Sequence, residues 1–159
     1  MTAMRTRTVL GCLAVALAVA GCGGGGSATR SLSASSIPLV AGARVFAATR
    51  SCDRGADAYC ALQLVVVAPR YPSSQALLVS EQARLRALDW TDTVGDTPKE
   101  RSADSPHNRL RLSYALAFDD LESWDMNSLR RRAPIARALA AVTFDRLPAL
   151  SLMLQAGSS

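Results

Sequence analysis

The sequence predicts an α+β domain: a small antiparallel sheet of about four strands with helices on one face and one disulfide-stapled hairpin. Three observations carry this. Arg109 to Phe118 alternates strictly, with Leu110, Leu112, Tyr114, Leu116 and Phe118 on one side and Arg109, Arg111, Ser113, Ala115 and Ala117 on the other; this is the pattern of a half-buried antiparallel strand. Ala61 to Ala68 is almost continuously apolar, as expected of a central strand covered along most of its length. Leu77, Leu78, Leu85 and Leu88 fall within about 100° of one another on a helical wheel, which predicts a helix lying on that sheet.

Taken in order, Ile37-Pro38-Leu39-Val40 leads through a turn at Ala41-Gly42 into a first strand over Ala43 to Thr49. Asp53, Gly55 and Asp57 form a turn between that strand and the apolar one. Pro69 and Pro72 end the second strand, and Ser73 or Ser74 caps the helix, which runs to about Leu88. Glu81 falls inside the leucine stripe, so an ion pair with Arg84 or with an arginine from the sheet is expected. The small residues Ala76, Val79, Ser80, Ala83 and Ala87 leave room for a second helix, with the C-terminal helix as the candidate. Trp90 to Val94 reads as a short third strand, and Gly95 to Asn108 as a long exposed loop without core residues. After the alternating strand, Asp119 to Glu122 opens a helical tail. Pro134 suits the first turn of a helix reaching Val142, and Phe144 to Leu154 reads as another short helix with Pro148 at its start. The single domain spans residues 37–155, with a disordered tail at 156–159.

The N-terminus is a targeting segment. Arg5 and Arg7 precede Val9 to Ala20, which carries no charge, and this is the n-region and h-region of a secretory signal. The apolar run is too short to cross a bilayer, which takes about 20 residues. It ends in Val19-Ala20-Gly21-Cys22, which resembles the lipobox of bacterial lipoproteins. That resemblance implies a signal peptide over 1–21, a diacylglyceryl and palmitate-bearing Cys22, and membrane lipid as a partner through that residue. The expected location is the extracytoplasmic face of the cell membrane. Residues 22–36, rich in glycine and serine, form the tether, with a root-mean-square reach of roughly 20 Å. Two acyl chains give stable anchoring where one does not.

Export places Cys52 and Cys60 where disulfides persist, and their spacing is not that of a redox Cys-x-x-Cys pair, so a structural disulfide is expected. Without Arg5 and Arg7 the formal charge falls from +5 to +3, and 17 of the 18 basic residues are arginine. No basic run is interleaved with aromatics, which argues against nucleic acid as a partner. Pro38-Leu39 before Gly42-Ala43-Arg44-Val45, the paired Cys52 and Cys60, and Leu88-Asp89-Trp90 at the helix exit resemble uncharacterised small lipoproteins of GC-rich Gram-positive bacteria. The match covers roughly residues 38–118, with Asp89 standing where a glycine is expected. It implies fold and address, and no activity.

Catalytic groups are sparse. His107 is the only histidine; as a general base it would need Ser102, Ser105 or Ser113 as nucleophile and Asp104 to orient it, and no Gly-x-Ser-x-Gly elbow is present. One histidine and two disulfide-committed cysteines cannot make a zinc site, and Asp119, Asp120, Glu122 and Asp125 lack the order of a calcium loop. No metal or other cofactor is expected. Arg44, Arg50, Arg109 and Arg111 would form an anion-binding face if the first and last strands lay close together. Arg130, Arg131 and Arg132 form a patch suited to an anionic membrane surface, to which Leu147, Leu150, Leu152, Met153 and Leu154 would add an amphipathic contact. The expected role is a non-catalytic envelope lipoprotein that binds a partner protein or envelope component through its open sheet face or its Gly95 to Asn108 loop. The alternatives are a small hydrolase using His107 and a carrier of a small apolar ligand held beneath the leucine-striped helix.

Overall fold

The structure, a computed structural model, describes residues 32–52 and 60–157. The signal peptide, Cys22 and the first part of the tether lie outside the described residues. No described helix is long and apolar enough to cross a membrane.

Among the described residues the fold is α+β, and six strands form one wholly antiparallel sheet in the order β1-β2-β6-β5-β4-β3. These are β1 (Arg44–Cys52), β2 (Cys60–Val67), β3 (Thr91–Asp92), β4 (Glu100–Asp104), β5 (Leu110–Leu116) and β6 (Ala149–Ala156). The helices are α1 (Ser74–Arg86), α2 (Ala117–Ser123), α3 (Met126–Arg131) and α4 (Ala133–Phe144). Six strands replace the expected four or so for two reasons. The region expected to be an exposed loop contains β4, whose single buried residue, Ala103, gave no apolar alternation to recognise. The segment expected to be a C-terminal helix is β6: Leu150, Leu152 and Leu154 are buried while Ser151, Met153 and Gln155 face the other way, a period of two. Pro148 does not open a helix; its carbonyl accepts from Ala68 N at 2.9 Å and aligns β6 beside β2.

Helices cover both faces of the sheet, not one. On the first face α1 packs Leu77, Leu78 and Leu85 against Leu62, Leu64, Val66, Leu112, Tyr114, Leu150, Leu152 and Leu154. On the second, α4 presents Ile135, Ala138, Leu139 and Val142, spaced i, i+3, i+4, i+7, to Val65, Val67 and Ala149. Cover on both sides explains why β2 is apolar at nearly every position. The small-residue side of α1 therefore does not meet the C-terminal helix, because the sheet lies between them. The folded body also starts earlier than Ile37. Leu32 is buried in the first core, Ser33 caps a 3-10 turn over Ala34–Ser36, and Leu32 O accepts from Arg50. At the other end β6 includes Ala156, and Gly157 N donates to Arg109 O, so residues 156 and 157 belong to the folded body and not to a tail.

Local chemistry sets the boundaries. Gly42 has φ of 81°, the left-handed position of the turn closed by Ala43 N to Val40 O. Ser73 caps α1 through Ala76 N at 3.1 Å. At its other end Leu85 O accepts from both Leu88 N and Trp90 N, with Asp89 between them at φ of 60°. The glycine expected at this position is thus the residue the backbone favours. Asp89→Gly should stabilise the fold by about 0.5 kcal/mol, read as a higher urea midpoint, and a lower midpoint would refute the strain. Cys52 and Cys60 are paired across β1 and β2 and form the expected disulfide.

Candidate functional site

The α4 layer covers only one end of its sheet face. Towards the other end the rows turn polar. One row reads Thr49, Gln63, Met153 and Ser113 across β1, β2, β6 and β5, and the next reads Ser51, Ala61, Gln155 and Arg111. Between these rows and the α3–α4 junction lies a groove of about 250 Å³. Thr49, Ser51, Gln63 and Met153 floor it, while Arg131, Arg132 and Pro134 overhang it. A smaller recess of about 70 Å³ continues past Gln63 and Arg132 to Ser113, Ser151 and Trp124, with Glu100 and Asp120 at its lining.

The overhang follows from Pro134. A proline inside a continuous helix would clash with the carbonyl four residues earlier, but it is accommodated in a first turn. The chain therefore ends α3 at Arg131 and restarts at Ala133, leaving Arg132 non-helical at the break. Arg132 is held from two sides. Its guanidinium carbon lies 5.1 Å from the centroid of the Trp124 ring, and the Gln63 amide, oriented by its donors, places its oxygen 3.1 Å from Nη1 and 3.3 Å from Nε. Trp124 is itself fixed by Nε1 donating to Asp120 at 3.2 Å. Gln63 is only 6% exposed, so its amide serves this recess rather than solvent.

The structure redistributes the predicted site residues. β1 and β5 are separated by β2 and β6, roughly 14 Å at the usual strand spacing, so Arg44 and Arg50 do not meet Arg109 and Arg111. Arg111 is held instead by both oxygens of Asp104, at 2.8 and 2.9 Å, which depresses the Asp104 carboxyl below its usual range. Arg50 borders the groove at the edge strand but sends a guanidinium nitrogen to Leu32 O on the opposite side. Of the arginine triplet, Arg131 and Arg132 line the groove and Arg130 does not; Arg130 and Arg131 are exposed, and Arg132 is half-buried. The leucines 150, 152 and 154 are core residues of β6, not part of an amphipathic membrane contact.

The groups around His107 are engaged separately. Ser105 Oγ accepts from Leu110 N at 2.9 Å, Ser102 Oγ bonds Thr93 Oγ1 at 2.8 Å, and His107 sits exposed in a 3-10 turn with φ of 64°. The acidic residues also have local partners: Asp119 pairs with Lys99, and Asp125 caps α3 through Ser128 N at 2.7 Å. Among the described residues no group of three or more His, Cys, Asp or Glu side chains is placed to hold a metal ion. Glu81, expected to meet an arginine, instead accepts from Val40 N at 3.0 Å, while its other oxygen has no hydrogen-bond partner among the described residues.

Gln63 and Trp124 were not candidates from the sequence. Gln63 was detectable as the one polar residue in the apolar run of β2, whereas Trp124 carries no local signal, because its role depends on the helix break. The chain matches no protein-family model, no curated protein and no solved structure.

Proposed function

We propose that the chain is a lipid-anchored, extracytoplasmic binding module of the cell envelope, without a catalytic role of its own. Cys22 within its lipobox supports the anchor. The observation that carries the binding role is the half-covered sheet face: α4 stops short, and the exposed remainder is a polar, arginine-rimmed groove instead of a packed layer. Such a recess is built to be reached from solvent. A hydrolase centred on His107 has no support in the surrounding geometry, and the space beneath α1 is occupied by Leu77, Leu78 and Leu85, which disfavours a carrier of an apolar ligand there.

Two measurements test the reading. Cys22→Ala should abolish palmitate labelling and release the protein from the membrane fraction. Gln155→Cys, on the open face beyond the groove, should react with a maleimide more slowly in intact cells than in the purified chain. Ser80→Cys, on the outer side of α1, should react equally in both. Equal rates at both positions would remove the claim that the face is occupied in the envelope.

A further inference from the structure

We propose that the groove between Arg131, Arg132 and Gln63 is a phosphoryl-binding site that takes the oxyanion of a phosphate mono- or diester. This deepens the binding-module reading and rests on it. The first ground is how Arg132 is held. Lys99, Arg86, Arg101 and Arg111 each face an aspartate, which consumes their charge. Arg132 is instead fixed by an aromatic ring and an amide oxygen, neither of them ionised. Its direction is set by uncharged partners and, among the described residues, it makes no ion pair, the preorganised condition of an anion receptor.

The second ground is what surrounds it. Arg131 lines the same groove, and Asp125, whose carboxylate lies within its electrostatic reach, is committed to capping α3. Among the described residues no carboxylate lines the larger groove; Glu100 and Asp120 line the smaller recess, which shares Gln63 and Arg132 with it. With its oxygen given to Arg132, Gln63 has only a donor left, and Thr49 and Ser51 add hydroxyls. Two guanidinium forks beside hydroxyl donors match a group with three or four oxygens better than a single carboxylate. A volume of about 250 Å³ accommodates a phosphoryl group with a small ester substituent and excludes a large apolar molecule.

Trp124 supplies the readout, since an anion drawing on Arg132 must perturb the ring beneath it. The full chain in detergent is titrated with inorganic phosphate, against sodium chloride at equal ionic strength, and separately with phosphatidylglycerol or phosphatidylcholine vesicles. A saturable emission change that is absent from Trp124→Phe is expected. Saturation by inorganic phosphate identifies a soluble ion or ester, and a response to phosphatidylglycerol vesicles alone identifies a lipid headgroup; both support the site. Arg132→Ala should weaken binding at least about tenfold and Arg131→Ala several-fold, while Arg130→Ala, the same charge change outside the groove, leaves it unaltered. Arg132→Lys keeps the charge and loses the fork, so a loss there with unchanged circular dichroism separates recognition from folding. No saturable response in either titration, or equal weakening by Arg130→Ala and Arg132→Ala, overturns the proposal. If that happens while position 155 remains protected in cells, the binding-module reading stands and the ligand chemistry alone is wrong.

Discussion

A chain ending at Pro148 should not fold. β6 is the last strand in sequence and central in space, pairing from Ala61↔Gln155 to Val67↔Ala149 on one side and from Leu110↔Ala156 to Leu116↔Leu150 on the other. Among the described residues no other strand joins β2 to β5, so its removal splits the sheet into a β1-β2 hairpin and a β3-β4-β5 meander. Both fragments would then present a bare edge from the middle of the former core. Leu150, Leu152 and Leu154 are each at most 1% exposed, and burying a leucine is worth about 1.5–3 kcal/mol. Their loss alone rivals the 5–15 kcal/mol by which a domain of this size is typically stable. Circular dichroism and proteolysis of the truncated chain should report an unfolded, rapidly digested polypeptide. Leu152→Ala gives the graded version, a loss of about 2–5 kcal/mol in urea unfolding. A truncated chain that still unfolds cooperatively would mean that the segment is peripheral, as a surface helix would have been.

The same strand shows where reading the sequence stops being sufficient. β5 was legible over Leu110–Leu116 because one face is core and the other is open, but the expected continuation failed: Ala117 and Phe118 open α2, with Ala117 buried and Phe118 exposed. α1 was legible from its serine cap and leucine stripe, and α4 from Pro134 and its apolar spacing. In β6 the period-two signal is present, but its leucines are dense enough to mimic a helical face, and the proline before it fits either reading. β4 has one buried side chain and cannot announce itself locally. Which face α4 would cover was equally undetermined, since an apolar stripe specifies that something is packed against it and not what. The groove inherits this limit. Arg131 and Arg132 were visible as a basic step, but their meeting with Gln63 requires the register of β2 against β1 and β6 and the break at Arg132, and both are tertiary facts.

Glu81→Gln should make the fold more stable at pH 8 and somewhat less stable at pH 5. Glu81 is 1% exposed, and its surroundings push the carboxyl from 4.5 up to about 7. Desolvation is the dominant cause; the Val40 N–H and the charge of Arg84 pull the other way without compensating. A carboxyl raised in the folded state favours the proton there. Its folded-state benefit is therefore complete below the unfolded value of 4.5 and is lost as pH rises through about 7. The interval corresponds to a penalty of roughly 3 kcal/mol at pH 8, when the buried carboxylate is ionised with one oxygen unpartnered. Asp104 and Asp125, held below the usual range by Arg111 and by the α3 amides, act with the opposite sign and only at lower pH, so they do not mask the window. Glutamine keeps a carbonyl for Val40 N and cannot ionise. Against that gain stands an amide NH₂ in the place of the unpartnered oxygen, a cost of about 1–2 kcal/mol. The net expectation is a gain of about 1–2 kcal/mol at pH 8, and a stability curve flat between pH 5 and 8 where the parent declines. Urea midpoints of both chains across this range decide the matter. Parallel curves would mean that Glu81 is already solvated or paired, and that the strap from Leu32 to Ala43 is not held down over it by the Val40 amide.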